Sequence, residues 1–269
     1  MVESMLQQPD LVVSLEPSCR MAWNVRRYFG RERAYPFDWW ITPARSMLRL
    51  LDRTVEFEVS RDDLEITAVN PTGASNTVYN KRLDLLHHHD FERVDGKVLD
   101  LPAGRIAMIN ARYRILFARL WYDADAARAP LAVLNGISTG WPDTMPADAP
   151  GRELNGPLGP QELVSAVRAR LGEKWRVLII EIGPSSRMVL DGGLAVTIPD
   201  TGLRESDLDP ADHYVEPVHV FRAAFDEITN RAPPEAVRRS RSGLAAIRSA
   251  TSQLAALRLH HLRRVLRRG

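Results

Sequence analysis

Residues 160–182 read PQELVSAVRARLGEKWRVLIIEI. This stretch predicts a helix near Pro160–Leu171 followed by an apolar strand over Arg176–Ile182. Upstream, Leu131–Leu134 reads as another strand, after a proline at 130 that stops any preceding helix. Strand, helix and strand in that order form a βαβ-like unit, the mark of an α/β fold. Further along, Gly192-Gly193 marks a hairpin between Met188–Leu190 and Leu194–Ile198, and a short helix is expected near Pro217–Asn230. Residues 136–160 form a Gly/Pro/Asp-rich loop, long enough for a compact domain that a functional role is one explanation for it.

The N-terminal part follows the same grammar. Leu11-Val12-Val13-Ser14-Leu15 is a short, β-branched run that predicts a buried strand. Pro17 precedes a helix from Cys19 to Phe29, and Gly30 stops it. Ala34–Trp40, AYPFDWW, packs aromatics around a single Asp, and Pro43 opens a helix to Asp52. Asn70-Pro71-Thr72-Gly73 is a turn signal. Ile106, Ile109, Tyr113, Leu116, Phe117 and Leu120 keep a helical spacing, which predicts a long amphipathic helix from Gly104 to Trp121. The expected architecture is a mixed α/β (α+β) domain over residues 1–230, with residues 231–269 as a separate cationic amphipathic helix.

Charge divides the chain at the same place. The formal net charge is +2, with 36 Lys and Arg against 34 Asp and Glu. Residues 231–269 carry ten Arg and one acid, Glu235, so the body is acidic and the tail basic. Docking on the body, self-association, an anionic membrane surface and nucleic-acid backbone are the partners such a helix admits. No aromatic residue interleaves these arginines, so no specific nucleic acid is expected. The beginning, MVESMLQQPD, has neither a basic n-region nor an apolar h-region, and a cytoplasmic location is the expectation. A single cysteine excludes an intrachain disulfide framework and a Cys-rich zinc site.

Chemistry-bearing motifs are few. There is no P-loop, no GxGxxG after a strand, no HExxH and no GxSxG, and no cofactor is implied. Two DxD triplets, Asp123/Asp125 and Asp207/Asp209, are of a type that can hold a divalent metal against a nucleotide sugar. His87-His88-His89-Asp90 is either a polar surface turn or the source of a catalytic imidazole; on a strand, at most two of the three rings would share a side. Cys19 stands at a strand-to-helix junction, where free backbone N–H groups and the helix dipole favour a thiolate. Those amides could also stabilise an oxyanion. The alternative is a small buried thiol.

Val12-Val13-Ser14-Leu15, Cys19, the helix through Trp23-Asn24-Val25-Arg26-Arg27, and the block Ala34-Tyr35-Pro36-Phe37-Asp38-Trp39 resemble a bacterial family of papain-like cysteine peptidases. His89-Asp90-Phe91 resembles that family's His-Asp-Phe element, and Arg112-Tyr113-Arg114-Ile115-Leu116-Phe117 its basic and aromatic helix, more loosely. The similarity covers residues 11–45 well and 78–122 thinly. It implies a papain-like α/β domain acting on a peptide or acyl substrate as a thiol hydrolase or acyl-transferase. Cys19 would be the nucleophile and His89, on a later strand, the general base and acid. For the residue that orients the imidazole, Asp38 stands first, ahead of Asp100 and Asn110. Asp38 also has a purely local role open to it, capping Thr42 or pairing with an Arg. Glu16-Pro17 departs from the family's Ser-Leu-Gly, and a carboxylate near Cys19 would raise the thiol's pKa. Two other readings stand beside this one: a carbohydrate-processing or glycosyltransferase-associated protein with a DxD metal, and a non-catalytic relative that binds a partner through its aromatic block.

Overall fold

Strand β1, Leu11–Ser14, is buried on both faces, and this sets the layering of the unit it belongs to. Leu11 and Val13 point into one apolar cluster and Val12 into another, the period-2 alternation of a strand with both sides covered. The same alternation recurs on β6, where Val177 and Ile179 join the first cluster and Leu178 and Ile180 the second. In this computed structural model the described residues are 8–15, 19–31, 33–69, 75–135, 158–200 and 218–229, with Cys19 and Arg20 described by backbone alone. The chain divides after Arg231, and the basic segment beyond it lies outside the described residues, as do Asn70-Pro71-Thr72-Gly73 and the loop 136–157.

The protein is mixed α/β. The main sheet has the order β1-β5-β6-β8-β7, with β5 at Pro130–Asn135, β6 at Arg176–Ile182, β7 at Ser186–Leu190 and β8 at Gly193–Ile198. β1, β5, β6 and β8 are mutually parallel, and β7 closes the edge as the antiparallel arm of the Gly192-Gly193 hairpin. Gly193 is required by packing: a Cβ there would meet the Val177 carbonyl oxygen at 2.9 Å and a Val164 methyl at 2.7 Å. The βαβ unit forms as the sequence predicts, with helix α4 (Pro160–Leu171) between the parallel strands β5 and β6.

One face of the sheet is covered by α1 (Cys19–Phe29) and α5 (Val218–Thr229), which share a cluster of Met21, Val25, Phe221 and Phe225. Tyr28 on α1 donates to Asp226 on α5 at 2.5 Å and lies 5.0 Å from the Phe225 ring. The other face takes α4, α2 (Ala44–Leu50) and α3 (Ala103–Ala126), together with a small antiparallel sheet of β2 (Leu64–Ile66), β3 (Val78–Asn80) and β4 (Leu85–Leu86). α1 ends at Gly30, whose φ of +65° is the left-handed conformation glycine adopts without strain.

Two differences from the sequence reading bear on the site. Helix α3 continues past Trp121 to Ala126, because Ala124 is buried and the acids of that last turn, Asp123 and the exposed Asp125, pair with Arg33 and Arg53. His89 lies in a bend after β4 rather than on a strand, so its neighbours are not held to period-2 alternation. Among the described residues no helix is long and apolar enough to cross a membrane.

Candidate functional site

Cys19 is the first residue of α1 and follows closely on the carboxyl end of β1. Its side chain, like Glu16 and Pro17, lies outside the described residues. The position itself is informative. In sheets of parallel strands, ligands gather beyond the carboxyl ends, where the helix N-termini also point.

Seven residues later on the same helix stands Arg26, about 10 Å along the axis and nearly on the same side as the Cys19 Cα. Arg26 forms a close ion pair with Asp38, in the short 3-10 turn Pro36–Trp39. The Tyr35 amide donates to the same Asp38 oxygen at 3.0 Å. These partners decide between the roles open to Asp38: it pairs with an arginine and braces its own aromatic turn, and among the described residues its contacts do not include His89 or Thr42. Burial pushes its carboxyl up to about 6, outweighing the pull of the Arg26 charge and the Tyr35 amide.

Trp39, next in the turn, connects α1 to the histidines. The Arg26 guanidinium lies 5.3 Å from its ring centroid and that of Arg112, from α3, 5.4 Å. His89 meets the same indole edge to face, with centroids 6.0 Å apart. The structure thus brings the Asp38 turn, Arg26 of the Cys19 helix and His89 into one contiguous patch. The Trp39 indole N–H is buried there without a partner among the described residues. His89 is exposed, and desolvation with the Arg93 charge lowers its pKa, so its imidazole is neutral near pH 7. His88 is lowered to about 4 by burial and the neighbouring His89.

The residue with a carboxylate on its ring is His87, which sequence reasoning did not single out. His87 and Asp90 have no accessible side-chain surface, and His87 Nδ1 lies 2.7 Å from Asp90 Oδ2. The tautomer follows from the next bond outward. Asn80 Oδ1 accepts from the Leu83 amide at 2.9 Å, which turns its Nδ2 toward His87 Nε2 at 3.4 Å. Nε2 must then accept, and Nδ1 carries the proton to Asp90. Asp90 also accepts from Trp40 Nε1 at 3.0 Å and from the Tyr113 hydroxyl at 2.9 Å, while Arg105 holds its carbonyl. Despite burial, these donors keep its carboxyl below the usual range. With both side chains sealed in the core, this network fixes the bend that carries His89 and touches no substrate.

The remaining candidates have structural partners. Asn110 clamps Val59 through both its amide oxygen and nitrogen, each at 2.8 Å. Asp100 accepts from the adjacent Leu101 amide at 2.7 Å. Asp123 binds Arg33 at 2.7 Å and the Tyr35 hydroxyl at 2.8 Å, whereas Asp125 binds Arg53. Two residues apart on a helix, these carboxylates diverge by about 200° and do not converge on one cation. Among the described residues no group of three or more His, Cys, Asp or Glu could hold a metal ion. Asp207/Asp209 lies outside them. Most of the aromatic block is core, since Phe37 and Trp40 are fully buried, leaving Trp39 as its half-exposed member.

Compared with protein-family models, with curated proteins and with solved structures, the chain finds no match in any of the three.

Proposed function

We propose that the protein is a cysteine-dependent hydrolase or acyl-transferase acting on a peptide or other acyl substrate. The supporting observation is the contiguity of His89, Trp39 and Arg26, the last on the helix that Cys19 opens at the carboxyl edge of the parallel strands. In this reading the Cys19 sulfur attacks a carbonyl carbon as His89, neutral beforehand, takes the thiol proton. The tetrahedral oxyanion is met by the first amides of α1. His89 then returns the proton to the leaving group as the carbon–leaving-group bond breaks, and water or a second nucleophile releases the acyl group from sulfur. Asp38 and the Asp90 network act as positioning residues, holding Trp39 and His89 rather than touching substrate.

The test is covalent labelling with a thiol-reactive acyl or epoxide probe at neutral pH, which the single cysteine makes unambiguous. Labelling faster than free cysteine and lost in Cys19→Ala supports the reading; a rate no faster than free cysteine overturns it.

A further inference from the structure

Helix α3 has two apolar faces, and the core uses only one. Ile106, Ile109, Tyr113, Leu116 and Leu120 are buried against the body. On the outward side Met108, Ala111, Ile115, Ala118 and Tyr122 are all exposed, with Met108 at 62%, Ile115 at 60% and Tyr122 at 74%. Their spacing alternates three and four, the a/d repeat of a coiled-coil seam, and it runs about 21 Å along the helix. Ala at both d positions allows another helix backbone close approach between the larger knobs at a.

The positions flanking such a seam are 107, 112, 114, 119 and 121, occupied by Ala, Arg, Arg, Arg and Trp. They carry three positive charges and no negative one. Arg114 has no ion-pair or hydrogen-bond partner among the described residues, while Arg119 donates only to the Ala34 carbonyl and Arg112 reaches Asp90 at 3.5 Å. A second copy would set Arg against Arg in either orientation, and residues 231–269, with ten Arg and one acid, would do the same. A bilayer surface calls for a broad apolar face rather than a narrow seam with alanine at every other step.

We propose that this face of α3 is a docking surface for an acidic amphipathic helix of a partner protein, with apolar residues at a and d and Glu or Asp at e and g. Arg112 flanks the seam and also lies over Trp39, so a docked helix borders the His89 patch.

The experiment titrates the full-length protein into a labelled three-heptad peptide with Leu at a and d and Glu at e and g, followed by fluorescence anisotropy. A second peptide has Lys in place of Glu. Binding of the Glu peptide alone, weakened by salt and at least about tenfold by Ile115→Glu or Arg114→Glu at unchanged Tm, supports the proposal. Equal binding of both peptides, or indifference to Ile115→Glu, overturns it. So does binding of phosphatidylserine vesicles without the Glu peptide, or a dimer that Ile115→Glu dissociates.

Discussion

His87 Nδ1 lies 2.7 Å from Asp90 Oδ2, and neither side chain reaches solvent. Asp90 is a buried carboxylate held by donors from an imidazole, an indole and a phenol, and removing it strands each of those donors without a partner. Asp90→Ala leaves His87, Trp40 Nε1 and the Tyr113 hydroxyl without their acceptor. Urea unfolding should show a loss of about 3 kcal/mol or more, from three buried donors left unsatisfied. The lowered pKa of Asp90 adds an acid dependence: its contribution is present above the ordinary carboxylate value and disappears as pH falls through the folded one. A variant within about 0.5 kcal/mol of wild type would show that the network is not holding the core.

Asp38 has the opposite sign. Its folded pKa is pushed up to about 6, against an unfolded value of about 3.9. The folded state therefore binds the proton more tightly, and stability is greatest below the unfolded value and is lost as pH rises through about 6. Asp38→Asn should flatten the stability profile between those two values, measured by urea midpoints across the range. A profile as steep as wild type would place the titration elsewhere.

His89 is exposed, in contrast to its neighbour His87. His89→Asn should leave folding stability within about 0.5 kcal/mol, since no core contact is lost. Turnover of an activated thioester by the same variant should drop about 10²- to 10⁴-fold if the imidazole is the general base. Full retained turnover together with intact Cys19 labelling would assign the base to another residue.

Asp123 and Asp125 are tied to Arg33, Tyr35 and Arg53. Added Mn²⁺ should therefore leave Tm unchanged, and Tyr35→Phe should cost about 1 kcal/mol through the lost Asp123 hydrogen bond. A saturable rise in Tm with Mn²⁺, abolished by Asp123→Asn, would restore the metal-site reading of this triplet.

Local sequence made most of the main sheet legible. The limits of α1, α4 and β6 agree with the expected ones because each has a local signal: Gly30 after α1, Pro160 at the start of α4, and the apolar run at 176–182. The three short strands β2, β3 and β4 were not visible. Each has only two or three residues, too few for periodicity, and their pairing is a tertiary choice. The site was legible in part. The aromatic block and the histidine cluster stand out by composition, and they do meet, through Trp39 and His89. That His87 rather than His89 takes the carboxylate could not be read, because it depends on Trp40 and Tyr113, distant in sequence, arriving to make a buried acceptor worthwhile. An His-x-x-Asp spacing was the sole trace of it.

In the parallel pairing of β1 with β5, Leu11 faces Pro130, a partner ~120 residues away along the chain. A ribosome that has released only as far as α3 has delivered the first strand with no neighbour for either of its edges. Until β5 emerges, Leu11-Val12-Val13 is an uncovered apolar template open to pairing with another nascent chain. Synthesis of this protein thus passes through an interval of vulnerability whose length is set by the insertion between β1 and β5, the first two strands of its main sheet. Slowing translation within that interval would cost soluble yield, whereas a pause after β8 has emerged, when β1, β5 and β6 all have their neighbours, would not.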